Sequence, residues 1–326
     1  MRVIIALGGN ALLRRGQPLE AAVQQANIRT AAAALAEVAR DHDLLVTHGN
    51  GPQVGLLALQ SEALPDVQPY PLDVLDAESE GMLGYLIEQE LSNLLPDREV
   101  AALLTRVEVD PHDPAFAAPS KPIGPVYDPR TAKRLAEQRG WSVAAEGSGF
   151  RRVVPSPKPL DILELRTIEL LWNAGHLVIC AGGGGIPVVR TAGGGLRGVE
   201  AVVDKDLAAA WLATALGADR LLLLTDVPAV WEDWPTPAQR ALRTASPEGL
   251  QDLPLERGSM QPKVAAGCQF VEATGAVATI GALTDAAALL AGQRGTTIRA
   301  DVERTEYYDA LEVAAWQSSP HDPPLA

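Results

Sequence analysis

Three apolar segments of this chain each end in a glycine-rich turn, and this pattern constrains the fold more than any other feature. The segments are IIALGGNAL at 4–12, LLVTHGNGPQVG at 44–55 and LVICAGGGGIPVV at 177–189. Each apolar run of about four to six residues is typical of a buried parallel strand. The glycines that follow permit positive φ and let backbone N–H groups approach a ligand closely. Three such junctions predict strand ends that converge on one small, highly charged ligand.

Strand-like and helix-like segments alternate along most of the chain. Strand-like runs lie at about 2–7, 44–47, 99–105, 176–181, 220–225, 276–281 and 296–299. Helix-like segments lie at 18–40, 77–95, 161–174, 204–216 and 260–274. The alternation predicts an α/β protein, a three-layer α/β/α sandwich around a mostly parallel sheet.

Residues 107–160 interrupt this alternation with many prolines around one short helix. A stretch of this kind is usually functional or a small inserted subdomain, and it carries Lys121, so we expect a protruding lid that brings a charge to the site. The proline-rich, charged stretch 232–258 is predicted to be a long loop. The tail after residue 300 has room for a short helix, and its end is expected to be disordered.

A formal net charge of −14 argues against binding to nucleic acids or to anionic membranes. The N-terminus does not resemble a signal peptide, and no apolar run approaches the roughly 18 residues that span a bilayer, so the cytoplasm is the expected compartment. Cys180 and Cys268 are far apart in sequence and are expected to fill core space rather than form a disulfide or a metal site.

The chain contains 27 lysines and arginines, of which only five are lysines: Lys121, Lys133, Lys158, Lys205 and Lys263. All but Lys133 occur in segments punctuated by proline or aspartate. Lysine is a compact point charge, and phosphate is the usual ligand that requires one, although chance in a small sample is the alternative. Lys133 is interpreted as part of a solvated helix face.

The obvious nucleotide motifs are absent or weak. The chain has no Gly-Lys dipeptide and therefore no Walker A motif. A G-x-G-x-x-G pattern at 193–198 neither follows a strand directly nor opens a helix, so it is interpreted as a glycine-rich hairpin or linker.

The first two glycine junctions are better candidates for an anion site. Gly8-Gly9-Asn10 and Gly49-Asn50-Gly51 each precede a predicted helix, so N–H groups and the positive helix ends point to one place. A tight turn required only for packing is the alternative. His48, beside the second junction, is interpreted as a hydrogen-bonded structural imidazole rather than a base.

The triplet Asp204-Lys205-Asp206 opens a predicted helix after EAVV at 200–203, which looks like a strand. Asp204 is explained as an ordinary helix cap. A cation at a helix N-terminus is unfavourable, so Lys205 is predicted to be functional and Asp206 to hold it in position.

Several motifs together resemble the carbamate kinases of the amino-acid-kinase superfamily. In order they are ALGGNAL, THGNGPQVG, PLDVL…ESEGMLGY, KPIGP, RRVVPSPKP, CAGGGGIPVV, GVEAVVDKDLAA, LLTDV and GSMQPKV, and they extend from about residue 2 to 299. Many superfamily members carry a lysine in the first glycine turn, where this chain has Ala6. The carbamate kinases share this absence, and the resemblance implies that Lys121 of the lid replaces the charge.

The resemblance implies the amino-acid-kinase fold, a homodimer, Mg²⁺ bound with the nucleotide, and the reaction ATP + carbamate ⇌ ADP + carbamoyl phosphate, with ATP formation expected in catabolism. It assigns 1–197, including the lid, to carbamate and 198–300 to ATP or ADP, and leaves 301–326 as an atypical tail. The implied catalytic residues are Lys121, Lys205, Lys263 and Asp206. The implied carbamate and phosphate site comprises Gly8, Gly9, Asn10, Gly49, Asn50 and Gly51, and the implied nucleotide site comprises Thr225, Asp226, Val227 and Met260.

Two alternatives remain open from the sequence. One is a superfamily kinase with another small anionic acceptor, against which Ala6, KPIGP and the bare glycine lining argue. The other is a catalytically silent nucleotide-binding regulator, which loss of a motif lysine would have favoured.

Overall fold

The structure is a computed structural model that describes residues 1–13, 16–63, 66–256 and 258–317. In these residues the strands are β1 (Arg2–Leu7), β2 (Asp43–His48), β3 (Val100–Ala102), β4 (Arg106–Val109), β5 (Lys121–Tyr127), β6 (Ser142–Glu146), β7 (Gly149–Val154), β8 (Pro159–Ile162), β9 (Leu177–Ile179), β10 (Ile186–Arg190), β11 (Leu196–Gly198), β12 (Arg220–Thr225), β13 (Trp231–Glu232), β14 (Arg240–Ala245), β15 (Val277–Ala282), β16 (Thr296–Ile298) and β17 (Glu306–Tyr307). The helices are α1 (Gly9–Leu12), α2 (Ala21–Ala39), α3 (Gly51–Ser61), α4 (Leu72–Leu94), α5 (Pro129–Arg139), α6 (Leu165–Asn173), α7 (Lys205–Ala215), α8 (Pro247–Leu250), α9 (Met260–Thr274), α10 (Ala286–Leu290) and α11 (Ala310–Gln317).

One large sheet runs through the described part of the chain. Its order is β13-β14-β16-β15-β12-β1-β2-β9-β3, and β17 pairs with β14. The strands from β15 to β3 are all parallel to one another, whereas the β15–β16, β13–β14 and β14–β17 pairs are antiparallel. The prediction of a mostly parallel sheet is therefore confirmed, with antiparallel pairs on the C-terminal side.

Alternate residues of β1 face two separate cores. Ile4 and Ala6 pack into one core with residues of α6, α7 and α9, and Val3, Ile5 and Leu7 pack into the other with residues of α2, α4 and α10. Side chains of a strand point alternately to opposite faces, so a strand apolar on both faces requires helices on both. The predicted three-layer sandwich is confirmed. No helix of the described residues combines the length and the apolar character needed to cross a membrane.

The centre of the sheet positions the ends of several strands side by side. The chain runs from β1 to β2 on one side, whereas β12 and β15 lie on the other side of β1. The crevice at the carboxyl ends beside such a change of direction is where open α/β sheets bind ligands. Directly after β1, the backbone N–H of Gly8 donates a hydrogen bond to the carbonyl of Leu224 at 2.9 Å. The first glycine turn is therefore attached to the end of β12.

The predicted lid at 107–160 corresponds to a small subdomain and part of a second sheet. Strands β5, β7 and β6 form an antiparallel sheet next to α5, while β4 and β8 join β10 and β11 in a four-stranded sheet. Gly124 of β5 packs against Gly55 of α3, so the subdomain sits on the helix that follows the second glycine turn. Strands β10 and β11 pair antiparallel, which confirms the hairpin predicted around 193–198.

Four local predictions are wrong in whole or in part. The predicted loop at 232–258 contains β14 and α8; Leu242 and Ala245 are buried while the charged Arg240 faces solvent, as suits a strand near the edge of a sheet. Residues 200–203 form no strand, because the backbone N–H of Val202 bonds to the carbonyl of Pro155 in a loop. The helix predicted at 161–174 begins only at α6, since β8 occupies its start, and the strand predicted at 99–105 shortens to β3.

The tail contains the predicted short helix, α11, and also β17. Tyr308 and Trp316 of this segment form a small apolar cluster with Ala229, Trp231 and Ala241. Residues 318–326, where disorder was predicted, lie outside the described residues.

Candidate active site

At the start of α7, one carboxylate forms ion pairs with two lysines. Asp204 caps the helix as predicted, because its Oδ1 accepts hydrogen bonds from the backbone N–H groups of Asp206 at 2.9 Å and Leu207 at 3.3 Å. The Asp206 carboxylate, only 3% exposed, lies 2.5 Å from Nζ of Lys205 and 3.5 Å from Nζ of Lys263 on α9. The pairing predicted between Lys205 and Asp206 is present, and Lys263 joins it.

The subdomain supplies the third lysine. Lys121, the first residue of β5, places Nζ 2.5 Å from Oδ2 of Asp204. Sequence reasoning explained Asp204 only as a cap and missed this second role; its signal is the aspartate on each side of Lys205. Three ammonium groups thus share the carboxylates of Asp204 and Asp206, which leaves an excess of one positive charge in the cluster.

Burial and the neighbouring charges shift the pKa values of this cluster. Burial raises the pKa of the Asp204 carboxyl, but Lys121 and Lys205 outweigh it and hold that pKa below its usual value. Burial lowers the pKa of Lys121, yet Asp204 overcompensates and the pKa lies above its usual value. Burial lowers the pKa of Lys205 and outweighs the opposing charge of Asp206, and the charge of Lys263 lowers that pKa further. Lys205 therefore loses its proton more readily than Lys121.

The first two glycine turns meet beside Lys205. A Cβ added at Gly49 would lie 3.0 Å from the backbone N of Gly9 and 3.3 Å from Cδ of Lys205, so these three groups are in contact. A Cβ added at Gly51 would meet nothing within 4 Å, so the start of α3 faces open space. The first N–H groups of a helix have no partner within the helix, and they are available to an anion there. Asn10 follows Gly9 in α1, and its side chain lies outside the described part of the structure.

The third glycine turn packs against the second turn and against the residues just before α7. A Cβ at Gly183 would overlap the side-chain amide of Asn50, and one at Gly184 would overlap the carbonyl oxygen of Val203, directly before Asp204. The sequence singled out this turn as a strand–glycine junction but assigned no site residue to it. Because its glycines have no side chain, the backbone of this turn lies in van der Waals contact with Asn50 and Val203.

The side chain of Asn50 is directed at α4. Its Nδ2 donates a hydrogen bond to Oγ of Ser79 at 2.8 Å and to Oδ1 of Asp76 at 3.3 Å, and the residue is 2% exposed. Burial raises the pKa of Asp76 well above its usual value. Asn50 therefore offers its backbone to the second glycine turn while its side chain fixes that turn to α4.

His48 is fully buried, and its Nδ1 lies 3.3 Å from the carbonyl oxygen of Gly49. Burial lowers the pKa of His48 to about 4, and the nearby charge of Lys205 contributes. A ring that remains neutral at physiological pH and is shielded from solvent agrees with the structural role predicted for it.

The predicted nucleotide residues lie at the carboxyl edge of the C-terminal strands and helices. Thr225 ends β12, and its Oγ1 donates a hydrogen bond to Oδ1 of Asp226 at 3.1 Å, with half-buried Val227 next in the chain. Met260 is the first residue of α9, about one turn before Lys263. The contact of these residues with a nucleotide stays a prediction.

The remaining lysines lie outside the cluster. The side chain of Lys158 is exposed, and that of Lys133 is 78% exposed beside Glu137 on α5. Within the described residues, no group of three histidine, cysteine, aspartate or glutamate side chains is arranged to hold a metal ion. Cys180 is buried and Cys268 half-buried, and both are free thiols in or against the same core.

Comparison with known proteins identifies the family. The model of the amino acid kinase family matches residues 1–281. The chain belongs to the amino acid kinase family. A carbamate kinase from Haemophilus influenzae is 52% identical over 309 residues, which cover 94% of this chain and 100% of the relative. A carbamate kinase from Rhizobium meliloti is 50% identical over 323 residues, which cover 98% of this chain and 100% of the relative.

A solved structure of the carbamate kinase from Giardia lamblia, bound to AMP-PNP, superimposes on this chain with a TM-score of 0.83. The two are 37% identical, and the match covers 91% of this chain and 98% of the Giardia chain. The amino-acid-kinase fold and the resemblance to carbamate kinases are thereby confirmed.

Proposed function

We propose that this protein is a carbamate kinase that catalyses ATP + carbamate ⇌ ADP + carbamoyl phosphate, with ATP formation as the direction in catabolism. The observation that carries the proposal is the convergence of Lys121, Lys205 and Lys263 on two carboxylates beside the first two glycine turns. Carbamate kinases that are 50–52% identical over nearly the whole chain support the same reaction.

The chemistry of carbamate suits such a site. Carbamate is already an anion, so its attack on a phosphoryl group needs no general base, and the buried, neutral His48 is consistent with this. The difficulty is to align one anion with another. Phosphoryl transfer is consequently catalysed by positioning and by stabilisation of negative charge, which is what ammonium groups and backbone N–H groups provide.

The positions of the lysines suggest separate roles. Lys205, in contact with the glycine turns, would bind oxygens of the transferred phosphoryl group, and Lys263 on α9 would reach them from the nucleotide side. Lys121 would approach from the subdomain, where it replaces the lysine that Ala6 of β1 does not supply. Asp206 would hold the ammonium groups of Lys205 and Lys263 in position.

The substrates would occupy the two halves of the sheet. We assign carbamate and the transferred phosphate to the turns Gly8-Gly9-Asn10 and Gly49-Asn50-Gly51, beside β1 and β2 within 1–197. We assign the nucleotide to Thr225, Asp226, Val227 and Met260, within 198–300. The absence of side-chain bulk at the glycines favours a very small acceptor.

The metal would enter with the nucleotide. Mg²⁺ usually keeps several waters and binds through substrate phosphates with one or two carboxylates, which agrees with the lack of a three-ligand cluster in the described residues. Bound there, it would neutralise part of the phosphate charge. Asp226, exposed directly after β12, is a suitable carboxylate for a water of the hydration shell of Mg²⁺.

We also propose that the protein is a cytoplasmic homodimer. Tyr85 and Leu104, 60% and 54% exposed, flank β3 at the edge of the large sheet. Exposed apolar side chains beside a sheet edge favour association with another chain. Light scattering coupled to size exclusion would give twice the monomer mass, and a Tyr85→Lys variant would shift the mass toward the monomer.

The test of the function is ATP formation from the purified protein with ADP, Mg²⁺ and carbamoyl phosphate. We expect ATP only when both substrates are present, and Lys205→Ala or Lys263→Ala to lower kcat by orders of magnitude with the fold intact. Lys133→Ala is the matched control, because this lysine is exposed and pairs with Glu137, not with a carboxylate of the cluster. Folded protein that binds ADP but forms no ATP would indicate a different acceptor or a silent regulator.

A further inference from the structure

Glu80 of α4 has a buried carboxyl group that joins the ends of two strands. It is 3% exposed. Its Oε1 accepts a hydrogen bond from the backbone N–H of Gly182 at 2.8 Å, and its Oε2 accepts one from the backbone N–H of Thr105 at 3.1 Å. Thr105 follows β3 and Gly182 follows β9, and these strands are neighbours in the sheet. One side chain therefore fixes two segments at the carboxyl edge.

Gly182 belongs to a turn whose backbone is unusual. The φ angles are +49° at Ala181, +70° at Gly183 and +101° at Gly184. A left-handed alanine is disfavoured, so a turn of this shape persists only where its surroundings hold it. The Thr105 hydroxyl accepts a hydrogen bond from the N–H of Ala181 at 2.9 Å, and Glu80 holds the N–H of the next residue.

This turn contacts the candidate active site at two points. Gly183 packs against the amide of Asn50, which anchors the second glycine turn. Gly184 packs against the backbone of Val203 and Asp204. Asp204 in turn binds Lys121 and caps the helix that carries Lys205. A displacement of the turn would therefore reach both the glycine site and the lysines.

We propose that Glu80 is a positioning residue for phosphoryl transfer, which fixes the third glycine turn and, through it, Asn50 and Asp204. The role requires two acceptors on one side chain, one for each N–H. A carboxyl group supplies them, because each of its oxygens keeps a lone pair even when one of them carries the proton, whereas an amide of the same shape supplies one acceptor and one donor. The inference rests on the proposed function, because phosphoryl transfer is its readout.

The test is the Glu80→Gln variant, in which one of the two backbone N–H groups must face an amide NH₂. We expect kcat for ATP formation to fall about 10- to 100-fold and KM for carbamoyl phosphate to rise, since small displacements in a site have effects of this size. The Kd for ADP, measured by calorimetry, is expected to stay within about twofold of wild type, because the nucleotide is assigned to the other half. Glu78→Gln, an exposed glutamate of the same helix, is the control and should change nothing.

Each outcome decides the question. A folded Glu80→Gln protein with wild-type kcat overturns the proposal, and so does a parallel loss of ADP binding, which would indicate general loosening. If Glu80→Gln does not fold, Thr105→Val removes the hydroxyl that holds Ala181 in the same turn, and the same kinetic pattern is expected. Wild-type kcat in that variant overturns the proposal. A wild-type protein that forms no ATP refutes the carbamate kinase assignment, and with it this inference.

Discussion

Replacement of Asp206 by asparagine is expected to destabilise the protein and to make its activity sensitive to alkaline pH. The two carboxylate oxygens of Asp206 lie 2.5 Å from Nζ of Lys205 and 3.5 Å from Nζ of Lys263. Asparagine has nearly the same shape, so the substitution removes a negative charge between two buried cations and little else.

The magnitude follows from the burial of the cluster. Removal of one partner of a buried ion pair typically costs about 3–5 kcal/mol, because the remaining charge is left poorly solvated. In a chain of 326 residues this corresponds to a fall in Tm of about 4–7 °C. Burial already lowers the pKa of Lys205, Asp206 opposes that effect, and Lys263 adds to it. Without Asp206 the pKa of Lys205 falls further, so activity is lost at a lower pH than in the wild type.

The assay combines thermal unfolding with kcat measured from about pH 6 to pH 10, where lysine ionisation limits the alkaline side. The control is Asp301→Asn, whose carboxylate pairs with Arg299 at 2.6 Å on the surface. Exposed ion pairs contribute little, so this variant should keep the wild-type Tm and pH profile. An Asp206→Asn protein with the wild-type Tm and the wild-type alkaline limit would refute the reasoning.

Three further predictions follow from the described contacts. Gly184→Ala is expected to lower the free energy of unfolding by about 2–5 kcal/mol, because it combines a positive φ with an overlap on Val203. Gly194→Ala is the control, since its φ is +80° but its surroundings are open, and it should cost only the backbone strain. Equal Tm values for the two variants would contradict this. Burial raises the pKa of Glu80 to about 8 in the folded protein, so at neutral pH the native state keeps a proton that the unfolded state has lost. The free energy of unfolding of the wild type should therefore decline from about pH 5 to pH 8, and that of Glu80→Gln should decline less. Parallel declines in the two proteins would contradict this. Tyr308→Phe removes a buried hydroxyl that donates to the carbonyl of Gly295 at 2.7 Å, so a loss of about 1–2 kcal/mol in the free energy of unfolding is expected, and an unchanged Tm would show that the tail does not stabilise the sheet.

The sequence predicts most of the central sheet because its strands are apolar on both faces. β1 and β12 have the predicted bounds, and β2, β9 and β15 differ by a residue or two at their ends. In contrast, the sequence predicts a loop where β14 lies, because arginines and nearby prolines mask its buried Leu242 and Ala245. Strands near an edge are half-exposed, so they carry a weaker hydrophobic signal than central ones.

The candidate site shows the same division. The sparse lysines and the glycine turns are visible in the sequence because their residue types are unusual for their positions. The contact between Lys121 and Asp204 spans 83 residues and depends on how the subdomain folds over the sheet, which no local pattern encodes. Glu80 is likewise an ordinary helix residue until the ends of β3 and β9 are placed beside it.

The position of β1 has a consequence for synthesis on the ribosome. β1 pairs with β2, which emerges soon after it, and with β12, whose residues 220–225 emerge far later. At about 5–20 residues per second, roughly 10–35 s pass between the synthesis of β2 and that of β12. During this time the second edge of β1 has no partner strand. An unpaired apolar edge during that interval is open to pairing with other nascent chains. The yield of native protein should therefore depend on translation rate and on chaperones that shield this edge until β12 has been made.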